Sequence, residues 1–178
     1  MGTPTEPAPV KYFTALLAAE AALFTEVETN LATILGTIEL RSEVRPWTAS
    51  SYYEKEMGTA LLRRFVSFVP LRAPGELAAI KLQTQQIEQL FCRPIRGGRR
   101  INLDPGYLDT FKVVLASTKN ARQRIYLGSG IYAEVTLQYY NGAFHGLPST
   151  YPDYLWPESI LFLNHLRATY LDQLKRDR

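Results

Sequence analysis

Apolar residues follow two different periods along the chain, and the first of these periods predicts strands. Short apolar stretches of strand character cover residues 10–17, 37–44 and 60–71, and Pro46 follows the second of them. Residues 47–58 show no consistent period, so this segment is predicted to be irregular.

The second period is helical and predicts three main helices. The first runs from Glu20 to Leu35 and ends at Gly36, which suits a helix C-terminus because glycine tolerates a positive φ. The second begins near Pro74, whose missing N–H costs nothing in a first turn. The third begins at Pro157. The apolar stripes of the second and third helices are formed by Leu77, Ile80, Thr84, Ile87 and Phe91, and by Ile160, Leu163, Leu166, Tyr170 and Leu174.

The segment from Ile101 to Tyr107 is interpreted as a strand end followed by a helix start. Residues 101–103 are predicted as a short strand. Asp104 followed by Pro105 matches the N-cap and first turn of a helix. This short helix would continue through Leu108, Phe111, Val114 and Leu115. Residues 117–121 are polar and predict a loop.

Residues 122–140 carry the clearest strand signal in the chain. Two alternating segments flank Gly128-Ser129-Gly130, which predicts a β-hairpin with a three-residue loop. Matching parity across the hairpin places Tyr126 opposite Tyr132 and Arg124 opposite Glu134. We therefore expect an Arg124–Glu134 pair on its polar face.

These elements together predict an α+β fold. We expect a two-layer α/β sandwich with a mixed, largely antiparallel sheet and about three main helices. Residues 1–9 contain three prolines and are expected to form a flexible tail, and residues 10–178 a single globular domain.

Composition narrows the class of protein. The chain has 178 residues, of which 46% are hydrophobic and 21% charged, as in ordinary globular domains. Its single cysteine excludes an intramolecular disulfide and a multi-cysteine metal cluster. No signal peptide or membrane-spanning run is visible, so the sequence predicts a cytoplasmic protein without a membrane partner. A net charge of +3 is too small to indicate nucleic-acid binding by itself.

A basic segment from Arg93 to Arg100 leaves two interpretations open. It contains four arginines, two glycines and no acid, and would either wrap a phosphate or RNA backbone or form a solvated linker. Phosphate-loop, zinc-protease, dinucleotide and nucleophile-elbow motifs are all missing from the sequence.

Nine ordered segments resemble the bacterial and archaeal domain-of-unknown-function family numbered 4416. They cover nearly the whole chain and are residues 9–11, 52–58, 64–68, 80–81, 102–107, 114–119, 124–127, 130–137 and 150–154. The family has no established activity. This chain has Gln123 where members usually have His, and Ser149 where they usually have Trp. If the family's chemistry used that histidine as a general acid or base, this chain would be impaired.

Polar residues within these segments define a candidate site. We expect a cleft whose ligand-binding residues are Asn102, Tyr107, Ser117, Thr118, Lys119, Arg124 and Tyr126. Lys119 and Arg124 would hold an anionic group, and a helix start at Asp104 would add backbone N–H groups. The candidate catalytic carboxylates are Asp104, Glu134 and Asp153, which would bind a divalent cation or act as acid and base.

The sequence leaves two classes of function open, and it does not decide whether the protein is an enzyme. The first is a site for a small phosphate-bearing ligand, such as a nucleotide, with or without metal-assisted chemistry. The second is an RNA- or protein-interaction module that uses residues 93–100. Structural roles also suffice for individual residues, since Asp104 would serve as an N-cap and Arg124–Glu134 as an ordinary cross-strand pair.

Overall fold

The computed structural model describes residues 2–93 and 98–176. Nine strands form one sheet, and every strand pairing recorded in it is antiparallel. The strands are β1 (Val10–Ala18), β2 (Ile38–Arg41), β3 (Arg45–Pro46), β4 (Leu62–Arg72), β5 (Ile101–Leu108), β6 (Lys112–Ser117), β7 (Ile125–Gly128), β8 (Ile131–Tyr140) and β9 (Ala143–Gly146).

Three long helices and one short helix accompany the sheet. They are α1 (Ala22–Leu35), α2 (Glu54–Met57), α3 (Leu77–Leu90) and α4 (Pro157–Arg176), and 3₁₀ turns at Pro74–Glu76 and Pro152–Leu155 precede α3 and α4. The predicted α+β class, the largely antiparallel sheet and the three main helices are confirmed. The short α2 lies within residues 47–58, which the sequence suggested were irregular.

The sheet runs in the order β2-β4-β1-β5-β6-β8-β7, with β3 on β4 and β9 on β8. Strand β1 is central, and all nine of its residues are buried. Its even-numbered apolar residues pack with α1 and α3, whereas Phe13 and Ala15 pack with α4. Because helices cover both faces of this strand, the arrangement has three layers instead of the expected two. The continuous apolar run of β1 is what a strand buried on both faces requires.

Residues 2–9 have no helix or strand and are exposed. Their flexibility, and the assignment of residues 10–178 to one domain, stay predictions. None of the described helices is long and apolar enough to cross a membrane.

The predicted helix start at Asp104 is wrong, because residues 101–108 form the continuous strand β5. Along its whole length β5 pairs with β1, with Asp104 opposite Ala15 and Pro105 opposite Thr14. Pairing with β6 covers Gly106 to Leu108. Pro105 lacks an N–H, and it lies just before this ladder begins, so no β5–β6 hydrogen bond is lost there.

In the hairpin of β7 and β8, one predicted pairing is confirmed, but the turn is shorter than predicted. Tyr126 pairs with Tyr132 as expected. Gly128 faces Ile131, however, so the turn has two central residues, Ser129 and Gly130, both with positive φ. A register irregularity between Tyr126 and Gly128 absorbs the difference. A two-residue turn with two positive φ angles matches the twist of antiparallel strands better than the predicted three-residue loop.

Candidate functional site

A cavity of about 430 Å³ lies where β5 and β6 diverge. This volume is within the range of small-molecule sites, roughly 300–1,000 Å³. One wall comes from the sheet, one from the segment around Tyr52 and one from the 3₁₀ turn at Pro152–Leu155. The polar and aromatic side chains that line it are Trp47, Ser50, Tyr52, Tyr53, Arg63, Lys81, Gln85, Glu88, Arg99, Asn102, Asp104, Ser117, Thr118, Lys119, Glu134, Tyr151, Asp153 and Tyr154.

Most of the candidate residues predicted from the sequence meet in this cavity. Seven line it directly, namely Asn102, Asp104, Ser117, Thr118, Lys119, Glu134 and Asp153. Arg124 lies at its edge, where Nη1 donates to Ser117 Oγ at 2.7 Å and Nη2 to the Tyr151 hydroxyl. Their convergence was expected from the sequence, but their functional roles remain predictions.

Two candidates lie elsewhere. Tyr107 packs with Tyr12 on the α1–α3 side of the sheet, at a ring separation of 5.9 Å. Tyr126 is 60% exposed and packs against Tyr132 on the hairpin surface. Tyr107 lies on the opposite face of the sheet from Asp104. In a strand, side chains three positions apart point to opposite faces, whereas in the predicted helix they would share a face.

The divergence of β5 from β6 is bridged by two charged side chains of α3. Lys81 Nζ donates to the Leu103 carbonyl at 2.7 Å, and the Leu103 N–H donates to Glu88 Oε1 at 2.6 Å. Both side chains are almost fully buried. They satisfy the backbone groups that a neighbouring strand would otherwise pair, because buried backbone groups need partners.

Asp104 belongs to a continuous polar network at the floor of the cavity. It accepts hydrogen bonds from Lys81 at 3.3 Å and from Asn102 at 2.7 Å. Asn102 in turn accepts from Arg99 at 2.7 Å, and Arg99 holds Glu56 through two hydrogen bonds of 2.8 Å. Burial alone would raise the pKa of Asp104, but the charges of Lys81 and Arg63 and the two hydrogen bonds outweigh it and lower the pKa. Asp104 is therefore an ionised carboxylate at neutral pH.

Arg63 and Asp153 form a buried ion pair at the inner end of the cavity. Their side chains are 5% and 1% exposed, and Nη2 lies 3.0 Å from Oδ2. The guanidinium also lies over the Trp47 ring, 4.6 Å from its centroid. Burial raises the pKa of Asp153, while the Arg63 charge opposes that rise.

The predicted Arg124–Glu134 pair is confirmed, with Nη2 3.1 Å from Oε1. Both side chains are nearly buried, at 6% and 2% exposure, so the pair faces the protein interior and not the solvent. Gln123 donates to the other oxygen of Glu134 at 2.8 Å. Gln123 therefore contacts a carboxylate that lines the cavity.

Lys119 lies at the exposed mouth of the cavity. Its ammonium donates to the Tyr52 hydroxyl at 2.6 Å and lies 4.1 Å from the centroid of that ring. The hydrogen bond and charge of Lys119 lower the pKa of Tyr52. From Tyr52 a row of edge-to-face aromatic contacts leads through Tyr53 to Trp47, and so to Arg63.

The basic segment 93–100 makes internal contacts at three of its four arginines. Arg93 donates to the Met57 carbonyl at 3.3 Å, Arg99 binds Glu56, and Arg100 donates to Glu20 at 3.0 Å. Arg96 lies outside the described residues. Within the described part of this segment, the arginines are engaged with carboxylates or backbone instead of forming a free basic patch.

Metal binding receives no support from the placement of side chains. Among residues 2–93 and 98–176, no three His, Cys, Asp or Glu side chains are grouped closely enough to hold a metal ion. Asp104, Glu134 and Asp153 each have a basic partner instead.

Several residues of the cavity were missed by the sequence reasoning. Lys81 and Glu88 are seven positions apart, so they share a face of α3, and that face also carries apolar Ile80 and Ile87. Two charged residues that lie two helical turns apart beside an apolar stripe could have indicated that these charges are buried. Arg63 had no comparable signal, because arginine in a strand is usually exposed.

The chain belongs to a family of uncharacterised proteins, as the resemblance suggested. The model of DUF4416, a domain of unknown function, matches residues 8–170. Neither the curated proteins nor the solved structures yielded a significant match.

Proposed function

We propose that this protein binds a small anionic ligand, a phosphate-bearing metabolite or nucleotide, in the cavity between β5 and β6. The observation that carries the proposal is the balance of charge along the cavity walls. Each of the four lining carboxylates has a basic partner within 4 Å, which is Arg99 for Glu88, Lys81 for Asp104, Arg124 for Glu134 and Arg63 for Asp153.

Lys119 is the cation left over. Within the described chain its ammonium has no carboxylate partner and contacts the Tyr52 hydroxyl. The mouth therefore carries the positive charge of Lys119. In the walls below it, Arg99 is shared between Glu88 and Glu56, and the other three carboxylates each have a basic partner of their own. An anionic group that binds there gains an ammonium without displacing an existing ion pair.

The neighbouring groups suit such an anion. Ser117 and Thr118 line the same part of the cavity and offer hydroxyl groups. Arg124 already donates to Ser117 and to the Lys119 carbonyl, both at 2.7 Å, so it holds this loop in place. A rigid loop lowers the entropy lost when a ligand binds.

The alternative, an RNA-interaction module built on residues 93–100, has weaker support. Nonspecific RNA affinity depends on exposed basic groups that are free to meet phosphates. Arg99 and Arg100 instead bind carboxylates of their own chain. Catalysis is not part of the proposal, which concerns binding alone.

A thermal-shift screen tests the proposal. The panel comprises inorganic phosphate, pyrophosphate, ribose 5-phosphate and nucleoside mono-, di- and triphosphates. A compound at 100 times its Kd should stabilise the protein by about 2.7 kcal/mol, which raises Tm by roughly 5–11 °C for a domain of this size. No shift with any member would refute the proposal.

A matched pair of variants locates the binding site. Lys119→Gln removes the charge at the mouth, and a lost charge-assisted contact of about 1.5–3 kcal/mol would weaken affinity roughly tenfold to hundredfold. Lys55→Gln removes an exposed lysine that does not line the cavity and should leave affinity unchanged. Equal affinity for the wild type and both variants would contradict binding at this cavity.

A further inference from the structure

Asp104 is the carboxylate of the cavity that a ligand can touch. Its side chain is 27% exposed, whereas those of Glu88, Glu134 and Asp153 are 7%, 2% and 1% exposed. All four residues line the cavity. The anionic acceptor that the cavity offers to a ligand is therefore Asp104.

The carboxylate of Asp104 has acceptor positions that its own chain does not use. One oxygen accepts a hydrogen bond from Lys81 at 3.3 Å, and the other accepts one from Asn102 at 2.7 Å. A carboxylate has about four lone-pair positions, so roughly two remain for a ligand. Because Asp104 is ionised at neutral pH, it has no proton to donate. The complementary group on the ligand is therefore a hydrogen-bond donor.

The register of β5 and β6 places this acceptor opposite the loop at the mouth of the cavity. The β5–β6 ladder ends with Gly106 paired to Leu115. Two residues further along each strand, Asp104 and Ser117 would form the next pair on the same face, but the strands have diverged there. The Lys119 N–H donates to the Ser117 hydroxyl at 3.2 Å. Asp104 and the loop of Ser117 to Lys119 therefore face each other across the opening of the split.

A ligand that spans this opening is compact. Paired strands lie about 4.8 Å apart, and β5 and β6 diverge from that spacing over only two residues. A phosphate at Lys119 and a donor at Asp104 therefore lie only a few bonds apart in the ligand. Hydroxyl groups on a short carbon chain or a small ring that carries the phosphate meet this requirement.

The charges around Asp104 favour a neutral donor over a cationic one. Burial opposes the ionisation of Asp104, but the charges of Lys81 and Arg63 outweigh it and lower the pKa. An ammonium on the ligand would be repelled by these two cations, whereas a hydroxyl group would not. Tyr53 adds a neutral hydroxyl to the same cavity, because burial and the charge of Asp104 raise its pKa. The surroundings of Asp104 therefore suit the hydroxyl groups of a polyol.

We propose that the ligand is a small phosphorylated polyol, the class to which sugar phosphates belong, with its phosphate at Lys119 and its hydroxyl groups donating to Asp104. This inference rests on the proposed function and narrows its ligand class. Gln85 lies one helical turn after Lys81 on α3 and also lines the cavity. Its amide offers a donor and an acceptor to further hydroxyl groups.

Pairs of phosphate esters that have similar carbon skeletons and differ in their hydroxyl groups test the inference by isothermal titration. Glycerol 3-phosphate is compared with propyl phosphate, and glucose 6-phosphate with cyclohexylmethyl phosphate. For the skeleton that fits, the hydroxylated compound should bind roughly tenfold to hundredfold more tightly, because its hydrogen bonds go to a charged acceptor. Phosphoethanolamine, which carries an ammonium instead of hydroxyl groups, should bind more weakly than glycerol 3-phosphate.

Two variants assign the effect to its residue. Asp104→Asn keeps the shape of the side chain and removes its charge, so the ratio of affinities within each pair should fall toward one. Lys119→Gln should weaken both members of a pair to the same extent and leave that ratio unchanged. Circular dichroism and Tm establish that each variant is folded, and the wild-type ratios decide the question alone if Asp104→Asn does not fold.

The outcomes separate this inference from the proposed function. If both members of each pair bind the wild type equally, recognition of hydroxyl groups is overturned while anion binding stands. If phosphoethanolamine binds more tightly than glycerol 3-phosphate, the inference is overturned in favour of an ammonium at Asp104. An unchanged ratio in a folded Asp104→Asn variant overturns the role of Asp104. If no phosphate-bearing compound binds, both proposals fail together.

Discussion

Replacing Lys81 by methionine should destabilise the protein far more than an ordinary lysine substitution. Its side chain is 7% exposed, and its ammonium serves both the Leu103 carbonyl and the Asp104 carboxylate. Methionine retains the length of the aliphatic stem, so packing is largely preserved. The variant therefore leaves a backbone carbonyl and a charged carboxylate without their buried partner.

The size of the effect follows from the burial of Lys81, because Asp104 is 27% exposed and keeps its hydrogen bond from Asn102. Leaving the buried Leu103 carbonyl without its partner costs about 1–3 kcal/mol, and the partly solvated carboxylate of Asp104 adds less than a fully buried charge would. For a domain of this length, each kcal/mol lowers Tm by roughly 2–4 °C. We therefore expect Lys81→Met to lower Tm by about 2–12 °C.

The pH dependence of the difference has a defined sign. The pKa of Asp104 is lowered in the folded state, so its ion pair contributes stability above the unfolded pKa, about 3.9. That contribution is lost as the pH falls through the lower folded pKa. The stability gap between the wild type and Lys81→Met should therefore narrow below about pH 4.

Urea denaturation followed by circular dichroism measures the gap, with Lys175→Met as the matched control. Lys175 pairs with Asp172 on α4, where the two side chains are 76% and 62% exposed. Such a surface pair contributes about 0–1 kcal/mol. A loss of stability in Lys81→Met no larger than in Lys175→Met would refute the assignment of Lys81 as a structural bridge across the split sheet.

Three further changes have definite expected outcomes. Burial raises the pKa of Glu88 in the folded state, so its ionisation costs stability as the pH rises above the unfolded pKa of about 4.3. Glu88→Gln should therefore gain stability relative to the wild type as the pH rises above about 4 in urea titrations, and a constant difference would contradict this. A Cβ at Gly106 would lie 2.5 Å from the Val114 carbonyl oxygen, so Gly106→Ala should cost about 1–3 kcal/mol by denaturation, whereas Gly75→Ala, which meets nothing within 4 Å, should not. Deletion of residues 2–8, which are exposed and lack regular structure, should leave Tm within 2 °C by calorimetry, and a larger drop would show that the tail is structural.

The elements that sequence patterns predicted correctly are those with strong local signals. The helix ending at Gly36 is one example, because the glycine adopts a φ of 91° that other residues avoid. The helix that follows Pro74 and the one that starts at Pro157 are others. In each of them, periodicity and a terminating residue agree, so local information suffices.

The segment at Asp104 shows why local signals can fail. Asp followed by Pro is a good helix start, yet here both residues lie within β5. The strand tolerates this proline because β6 has separated from β5 at that position. Lys81 and Glu88 then supply hydrogen-bond partners for the Leu103 carbonyl and N–H, which β6 does not pair. That compensation involves hydrogen bonds between residues 15 and 22 positions apart, so no local pattern could reveal it.

The candidate site could be predicted only in part, because only some of its residues carry a local signal in the sequence. Polar residues at strand ends, such as Ser117 and Lys119, indicated a surface cleft, and the hairpin register correctly paired Arg124 with Glu134. The buried Arg63 was not predictable, because its environment depends on a ring from Trp47 and a carboxylate from Asp153, both distant in sequence.

The cavity and the fold have a common physical origin. Where β5 leaves β6, the backbone needs polar substitutes, and buried side chains provide them at Leu103. These substitutes are charged, so each requires a counter-charge, and the resulting pairs line the opening. A continuous ladder of backbone hydrogen bonds would need none of these charges. The split therefore creates both a space for a ligand and a polar wall around it.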